Sequence, residues 1–167
     1  MPNAMPQSPS SSPRVLVVDD DATIRLLCSR TLKEAGYEVL EAEGSSEAME
    51  LMVVGKQPVD LLVVDLFLPP PGFQLASSTS KFQRVNGHEM VQQLLELTKE
   101  LRVLFISSHA KTGLADQGIK LGNAPFLPKP IGKEALLQEV KAALAAPPMR
   151  AHGADLSGKK SDVQWVD

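Results

Sequence analysis

Apolar residues follow two rhythms along this chain. Val15-Leu16-Val17-Val18 is a continuous, β-branched apolar run, the pattern of a strand buried on both faces. Ile24, Leu27, Cys28, Thr31, Leu32 and Ala35 then recur at helical spacing, and Gly36 is placed to stop that helix. The alternation repeats. Further strands are expected at residues 37–41, 59–64, 102–106 and 125–127. A second helix runs from Gly44-Ser45 through Val54, with Gly55 and Pro58 beyond it. Met90, Val91, Leu94, Leu95 and Thr98 mark a third. Residues 111–121, ended by Gly122, form a fourth. Leu136, Leu137, Val140 and Leu144 face one way on the last. Five such strand–helix units predict an α/β fold whose parallel sheet is covered on both faces. Right-handed crossovers make it doubly wound.

Three stretches break the rhythm. Residues 1–13 are a Pro/Ser-rich arm, expected to be disordered. Residues 69–86 hold Pro69-Pro70-Pro71-Gly72 and Ser77-Ser78-Thr79-Ser80, with no clean period. Residues 146–167 open on Pro147-Pro148 and read as a flexible tail. Prolines withhold backbone donors and polar stretches bury little, so loose packing is expected of all three. The folded domain is placed at residues 14–145.

Composition narrows the function. Hydrophobic residues make up 43 % of 167 residues, and the net charge is −3 from 17 basic and 20 acidic side chains. No Lys/Arg stripe is present, so direct nucleic-acid binding is not expected. No apolar stretch approaches the roughly 18 residues that span a bilayer, and the first residues lack the apolar run of a signal peptide. A cytoplasmic protein with no membrane contact is expected. Cys28 is the single cysteine; its helical position marks it as a small buried hydrophobe. His88, His109 and His152 show no metal-ligand spacing. Trp165 could dock, but a place in a mobile tail is the plainer expectation.

Parallel sheets bind ligands at the carboxyl ends of their strands, and polar residues stand there. Asp19, Asp20 and Asp21 follow the first strand and Asp65 the third. Ser107, Ser108 and His109 follow the fourth. Lys129-Pro130 lies by the fifth. Clustered carboxylates raise one another's pKa. A hard divalent cation such as Mg²⁺ relieves this through oxygen ligands. A carboxylate can attack phosphorus, and a phosphoryl group in transfer needs a metal, a cation and a hydroxyl or amide donor around it. Asp65, the acidic pair, Ser107 and Lys129 supply that set. Each residue also has a plain alternative. Asp20 or Asp21 could cap the first helix, Asp65 could sit in a turn, Ser107 could cap a helix and Lys129 could be solvated. Those alternatives do not explain why all four positions fall at strand ends.

The segments Val17-Val18-Asp19-Asp20-Asp21, Val63-Val64-Asp65-Leu66-Phe67-Leu68-Pro69, Phe105-Ile106-Ser107-Ser108 and Phe126-Leu127-Pro128-Lys129-Pro130 resemble the four signature segments of response-regulator receiver domains. The resemblance covers residues 14–145. It implies a CheY-like, flavodoxin-like fold with strand order 2-1-3-4-5. It implies that Asp65 is the phospho-acceptor and that Mg²⁺ is held by Asp19, Asp20, Asp65 and the backbone carbonyl of Phe67. Ser107 and Lys129 would contact the phosphoryl group, Ser107 and Phe126 would form the switch, and the Lys129-Pro130 bond would be cis. The implied donor is a histidine kinase or phosphotransfer protein, and the implied output a downstream protein target. The family's homodimers use the face made by the fourth helix, fifth strand and last helix. Such a module is not a turnover enzyme.

The chain departs from the family pattern after Pro69. The expected polar–Gly pair is displaced to Asn86-Gly87 by an insertion of roughly a dozen residues, the length of a functional or loose loop. Phe67, two residues after the acceptor, cannot orient water, so slow dephosphorylation is expected. No output domain is expected after residue 145, which favours a stand-alone receiver. Two other classes remain distinct. An aspartate-nucleophile phosphohydrolase would want an acid two residues after its nucleophile; Asp65 has Phe67 there, while Asp19 has Asp21. A pseudo-receiver would bind partners without phosphorylation.

Overall fold

The computed structural model describes residues 12–68, 85–108 and 124–151. The expected helix at 111–121, His109, His152, Trp165, most of the arm, most of the insertion and most of the tail lie outside the described residues. The main sheet contains β1 (Arg14–Val18), β2 (Glu38–Ala42), β3 (Leu61–Asp65), β4 (Val103–Ser107) and β5 (Phe126–Pro128). All pairs are parallel, in the order β2-β1-β3-β4-β5. The doubly wound sheet and its order match the expectation.

Side chains alternate across this sheet into two cores, because successive strand residues point to opposite faces. Leu16, Val18, Leu62, Val64 and Phe105 pack on one side with Met90, Val91, Leu94 and Leu95 of α3 (Gly87–Thr98). Val15, Val17, Leu61, Val63, Leu104 and Ile106 pack on the other. They meet Cys28 and Leu32 of α1 (Ala22–Glu34) and Leu136 and Val140 of the C-terminal helix, α4 (Lys133–Ala145). Helix α1 stops where Gly36 takes φ 95°. The Tyr37 and Gly36 amides then bond back to the Leu32 and Lys33 carbonyls, closing the end of the helix.

The strands end later than their apolar runs. Asp65 and Ser107 are the last residues of β3 and β4 rather than the first of the following loops. The backbone ladder carries on one polar residue past the core: Asp65 pairs with Ile106, and Ser107 with Pro128. Helix α2 (Ser45–Met49) is shorter than expected and runs into a π-helical turn over Glu50–Val54. The wider turn rotates less per residue, so Leu51, Met52 and Val53 can all lie against one core.

The fold extends past residue 145. Met149–Arg150 forms an antiparallel pair with Glu100–Leu101. The Ala151 amide donates to the Lys99 carbonyl, and Arg102 Nε to the Ala146 carbonyl. Leu101 is buried and Met149 packs on the same core, which draws this stretch onto the domain. The sequence pattern placed it in a flexible tail, because two residues are too few to show a period.

Candidate functional site at the strand ends

The site grows from the ends of β1, β3 and β5. At β1, Asp19 is fully buried, and its Oδ1 accepts the Asp21 amide at 2.9 Å. Asp21 caps α1: its Oδ1 accepts from Thr23 N at 2.8 Å and Ile24 N at 3.3 Å. That settles which acid answers the helix. Asp20 is exposed at the mouth of the site.

At β3, Asp65 is buried. Its Oδ1 accepts the Phe67 amide at 3.0 Å, and its Oδ2 accepts Lys129 Nζ at 2.9 Å. Lys129 Nζ also lies 3.0 Å from Asp19 Oδ2, so one ammonium bridges two buried carboxylates. The Lys129 amide donates to the Ser107 carbonyl at 2.8 Å, which ties the lysine backbone to the end of β4. The Lys129-Pro130 bond is cis.

Charge is strained here. Burial pushes the Asp19 carboxyl above its usual range, aided by Asp65 and opposed by the Asp21 amide and Lys129. Burial would lower Lys129, but its bonds to Asp65 and Asp19 outweigh that and hold it above its ordinary value. Asp19, Asp20 and Asp65 offer carboxylate oxygens that lie within 4.8 Å of one another. Three carboxylates against the bridging ammonium leave negative charge to be neutralised. An all-oxygen donor set with two buried members fits a hard divalent cation such as Mg²⁺.

Ser107 is fully buried at the end of β4, next to the Lys129 amide. Phe126 opens β5, half-buried and paired with Phe105, three residues before Lys129. Phe67 is half-buried beside Asp65. The fold thus brings Asp19, Asp20, Asp65 and Lys129 into one cluster, with Ser107 at its edge and Phe126 further up β5.

Three more residues shape the site. Asn86 caps α3 through the Glu89 amide at 2.8 Å. Gly87 donates to the Leu66 carbonyl at 3.1 Å; a Cβ there would stand 2.0 Å from the Asp65 carbonyl oxygen. Only glycine allows α3 this close to β3. The Asn86-Gly87 pair was visible in the sequence, but its contact with Asp65 was not. Arg25 was missed altogether. Its Nη1 donates to the Asp19 carbonyl at 2.7 Å. The signal was its position four residues after Asp21, one turn along the same helix face.

Comparison with known proteins agrees with this fold. Residues 15–141 match the model of the response regulator receiver domain. The chain belongs to the response regulator receiver domain family. It is therefore a receiver module of two-component signalling. It is 30 % identical over 132 residues to the phosphate regulon transcriptional regulatory protein PhoB of Pseudomonas aeruginosa, covering 78 % of this chain and 51 % of that protein. It is 32 % identical over 133 residues to the response regulator MprA of Mycobacterium ulcerans, covering 80 % of this chain and 50 % of that protein. The chain thus spans about half the length of these curated relatives. Among solved structures it resembles a CheY-like receiver domain protein from Methanospirillum hungatei (TM-score 0.63, 22 % identity, 81 % of this chain and 95 % of that one). It also resembles the Vibrio cholerae chemotaxis protein CheY4 (TM-score 0.61, 25 % identity, 79 % and 98 %). Among the described residues no helix is long and apolar enough to cross a membrane.

Proposed function

We propose that this receiver accepts a phosphoryl group on Asp65 from a histidine kinase or phosphotransfer protein and passes the signal on through altered protein contacts. The observation that carries this reading is the Lys129 ammonium, 2.9 Å from Asp65 and 3.0 Å from Asp19, inside a carboxylate cluster at the sheet's carboxyl edge. An Asp65 carboxylate oxygen attacks phosphorus. The bond from phosphorus to the donor's imidazole nitrogen breaks, and an acyl phosphate forms. Lys129, 2.9 Å from Asp65, would meet a phosphoryl oxygen as a point charge. The Ser107 hydroxyl is the neutral donor.

Asp19, Asp20, Asp65 and the Phe67 carbonyl would hold Mg²⁺, which when bound neutralises phosphoryl charge. The Phe67 amide donates to Asp65 Oδ1 at 3.0 Å, which keeps Phe67 close to Asp65. Phosphate on Asp65 then shifts a conformational equilibrium. Ser107 and Lys129 respond first, and the half-buried Phe126 carries the change along β5 to a downstream protein. A cytoplasmic location and dimerisation through the β5 side of the domain belong to the same reading. The apolar Phe67 side chain cannot position an attacking water, so the acyl phosphate should outlast a timescale of seconds.

The test is the intact mass of the protein after incubation with acetyl phosphate, with and without Mg²⁺, for wild type and Asp65→Asn. One added phosphoryl group that requires Mg²⁺ and vanishes in the variant is expected. No added group together with no Mg²⁺ binding would replace this reading with a phosphorylation-independent partner-binding module.

A further inference from the structure

Among the described residues, Asp19 is held at four points. Its amide donates to the Ala42 carbonyl at 3.2 Å. Its Oδ1 accepts the Asp21 amide at 2.9 Å, and its Oδ2 faces Lys129 at 3.0 Å. Its carbonyl accepts Arg25 Nη1 at 2.7 Å. The first two holders are backbone and the third belongs to the phosphoryl site. Arg25, by contrast, reaches in from a helix as a side chain with no part in the chemistry proposed above.

The bonded carbonyl lies in the peptide that joins Asp19 to Asp20. Fixing that plane fixes the direction in which the chain leaves a buried carboxylate and presents an exposed one. Arg25 is itself confined. Its side chain is 14 % exposed; Nε lies 3.8 Å from Glu41 Oε1 and Nη2 lies 3.8 Å from Glu43 Oε1. Glu41 is steadied in turn by Ser29 Oγ at 3.2 Å. A planar guanidinium can serve the carbonyl and both acids at once, which an ammonium cannot.

A cation beside a carboxylate cluster acts in two opposed ways. Its charge repels a divalent ion and weakens binding. Its hydrogen bond orders the ligands and strengthens binding. At Arg25 the charge is engaged by Glu41 and Glu43, while the hydrogen bond acts directly on the acidic pair. We infer that Arg25 is a positioning residue for the divalent-cation site, locking the Asp19–Asp20 peptide so that both carboxylates converge with Asp65. The inference rests on the receiver reading and deepens it.

The test is Mg²⁺ affinity by titration calorimetry on the full chain, comparing wild type, Arg25→Lys and Arg25→Ala. Thermal unfolding in chelator checks that each is folded. Arg25→Ala should bind Mg²⁺ at least about 10-fold more weakly, the usual cost of losing a residue that orients a metal ligand. Arg25→Lys should fall between it and wild type. At saturating Mg²⁺ the acetyl phosphate rate of both variants should return toward wild type, because no reacting group is lost. Unchanged or tighter Mg²⁺ binding in Arg25→Ala would overturn the inference and assign Arg25 a purely electrostatic role. Should the alanine variant not fold, Arg25→Lys decides. Charge is kept and the fork is lost, so weaker binding supports positioning and unchanged binding overturns it. A wild type that binds no Mg²⁺ would overturn the receiver reading as well. Wild-type binding with unaffected variants overturns this inference alone.

Discussion

The two ends of the sheet use the same residue types for different purposes. At the amino end, Arg14 reaches Glu38 at 2.8 Å and Gln57 at 3.3 Å, with side chains 28 % and 51 % exposed for the ion pair. At the carboxyl end, Lys129 meets Asp19 and Asp65 at similar distances, but the side chains are 16 %, 0 % and 8 % exposed. Water screens the first set and contributes about 0–1 kcal/mol per pair. In the second, desolvation of two carboxylates offsets much of the attraction to one ammonium. The amino end is ordinary surface. The carboxyl end holds closely packed, desolvated charge, which is a common mark of a functional site.

The largest break in this contrast should come from Gly87→Ala. The new Cβ would meet the Asp65 carbonyl oxygen at 2.0 Å and its carbonyl carbon at 2.9 Å. Both are backbone, so β3 or α3 must move. A loss of about 3 kcal/mol in urea unfolding is expected, with phosphoryl uptake on Asp65 falling at the same time. A variant as stable as wild type would show that α3 can retreat without disturbing Asp65.

Alkaline pH sharpens the contrast next. Burial pushes the Cys28 thiol from 9.0 up to about 12, with the Asp19 charge adding to it. Between those values the unfolded chain loses the proton and the folded chain keeps it. The unfolded state then binds fewer protons, so stability falls as pH rises, by up to about 1.4 kcal/mol per pH unit. The difference between wild type and Cys28→Ala across that window isolates the effect, and equal slopes would refute it. Thiol alkylation of the native protein at pH 8 should be correspondingly slow.

A smaller effect of opposite sign is expected at Asp19. Burial holds its carboxyl above the usual range, so ionisation at neutral pH works against folding. In chelator, Asp19→Asn should be more stable by about 1 kcal/mol, as functional sites often are when relaxed. Mg²⁺ should raise the unfolding temperature of wild type and leave that of the variant nearly unchanged. A variant less stable than wild type in chelator would mean that the Lys129 contact outweighs the burial of Asp19. The least effect belongs to the amino end, where Arg14→Ala should cost about 0.5 kcal/mol and less in high salt. A loss of several kcal/mol would erase the distinction between the two ends.

Much of the domain was legible along the chain. Val15-Leu16-Val17-Val18 announces a doubly covered strand, and Asp19, Asp65, Ser107 and Lys129 announce a polar strand edge. Periodicity and residue chemistry are local properties, and they survive in one dimension. Element ends were less legible. The apolar runs stop at Val64 and Ile106, while the hydrogen-bonded ladder takes in Asp65 and Ser107, because neighbouring strands set where pairing stops. Residues 146–151 carry no periodic signal, yet they dock on Lys99, Glu100 and Leu101.

What the sequence determined by itself was the class of fold, the identity of the acidic, hydroxyl and ammonium groups, and the edge they share. Only the tertiary structure decided that Lys129 bridges Asp19 and Asp65, that Asp21 rather than Asp20 caps α1, that Gly87 is pressed against the Asp65 carbonyl, and that Arg25 grips the Asp19 peptide. The Lys129 and Gly87 contacts join residues far apart in the chain, and their geometry depends on strand register and helix placement to within an ångström. The choice between Asp20 and Asp21, and the reach of Arg25, depend on where one turn enters α1. Hydrophobic pattern constrains register and placement only to the nearest residue or turn.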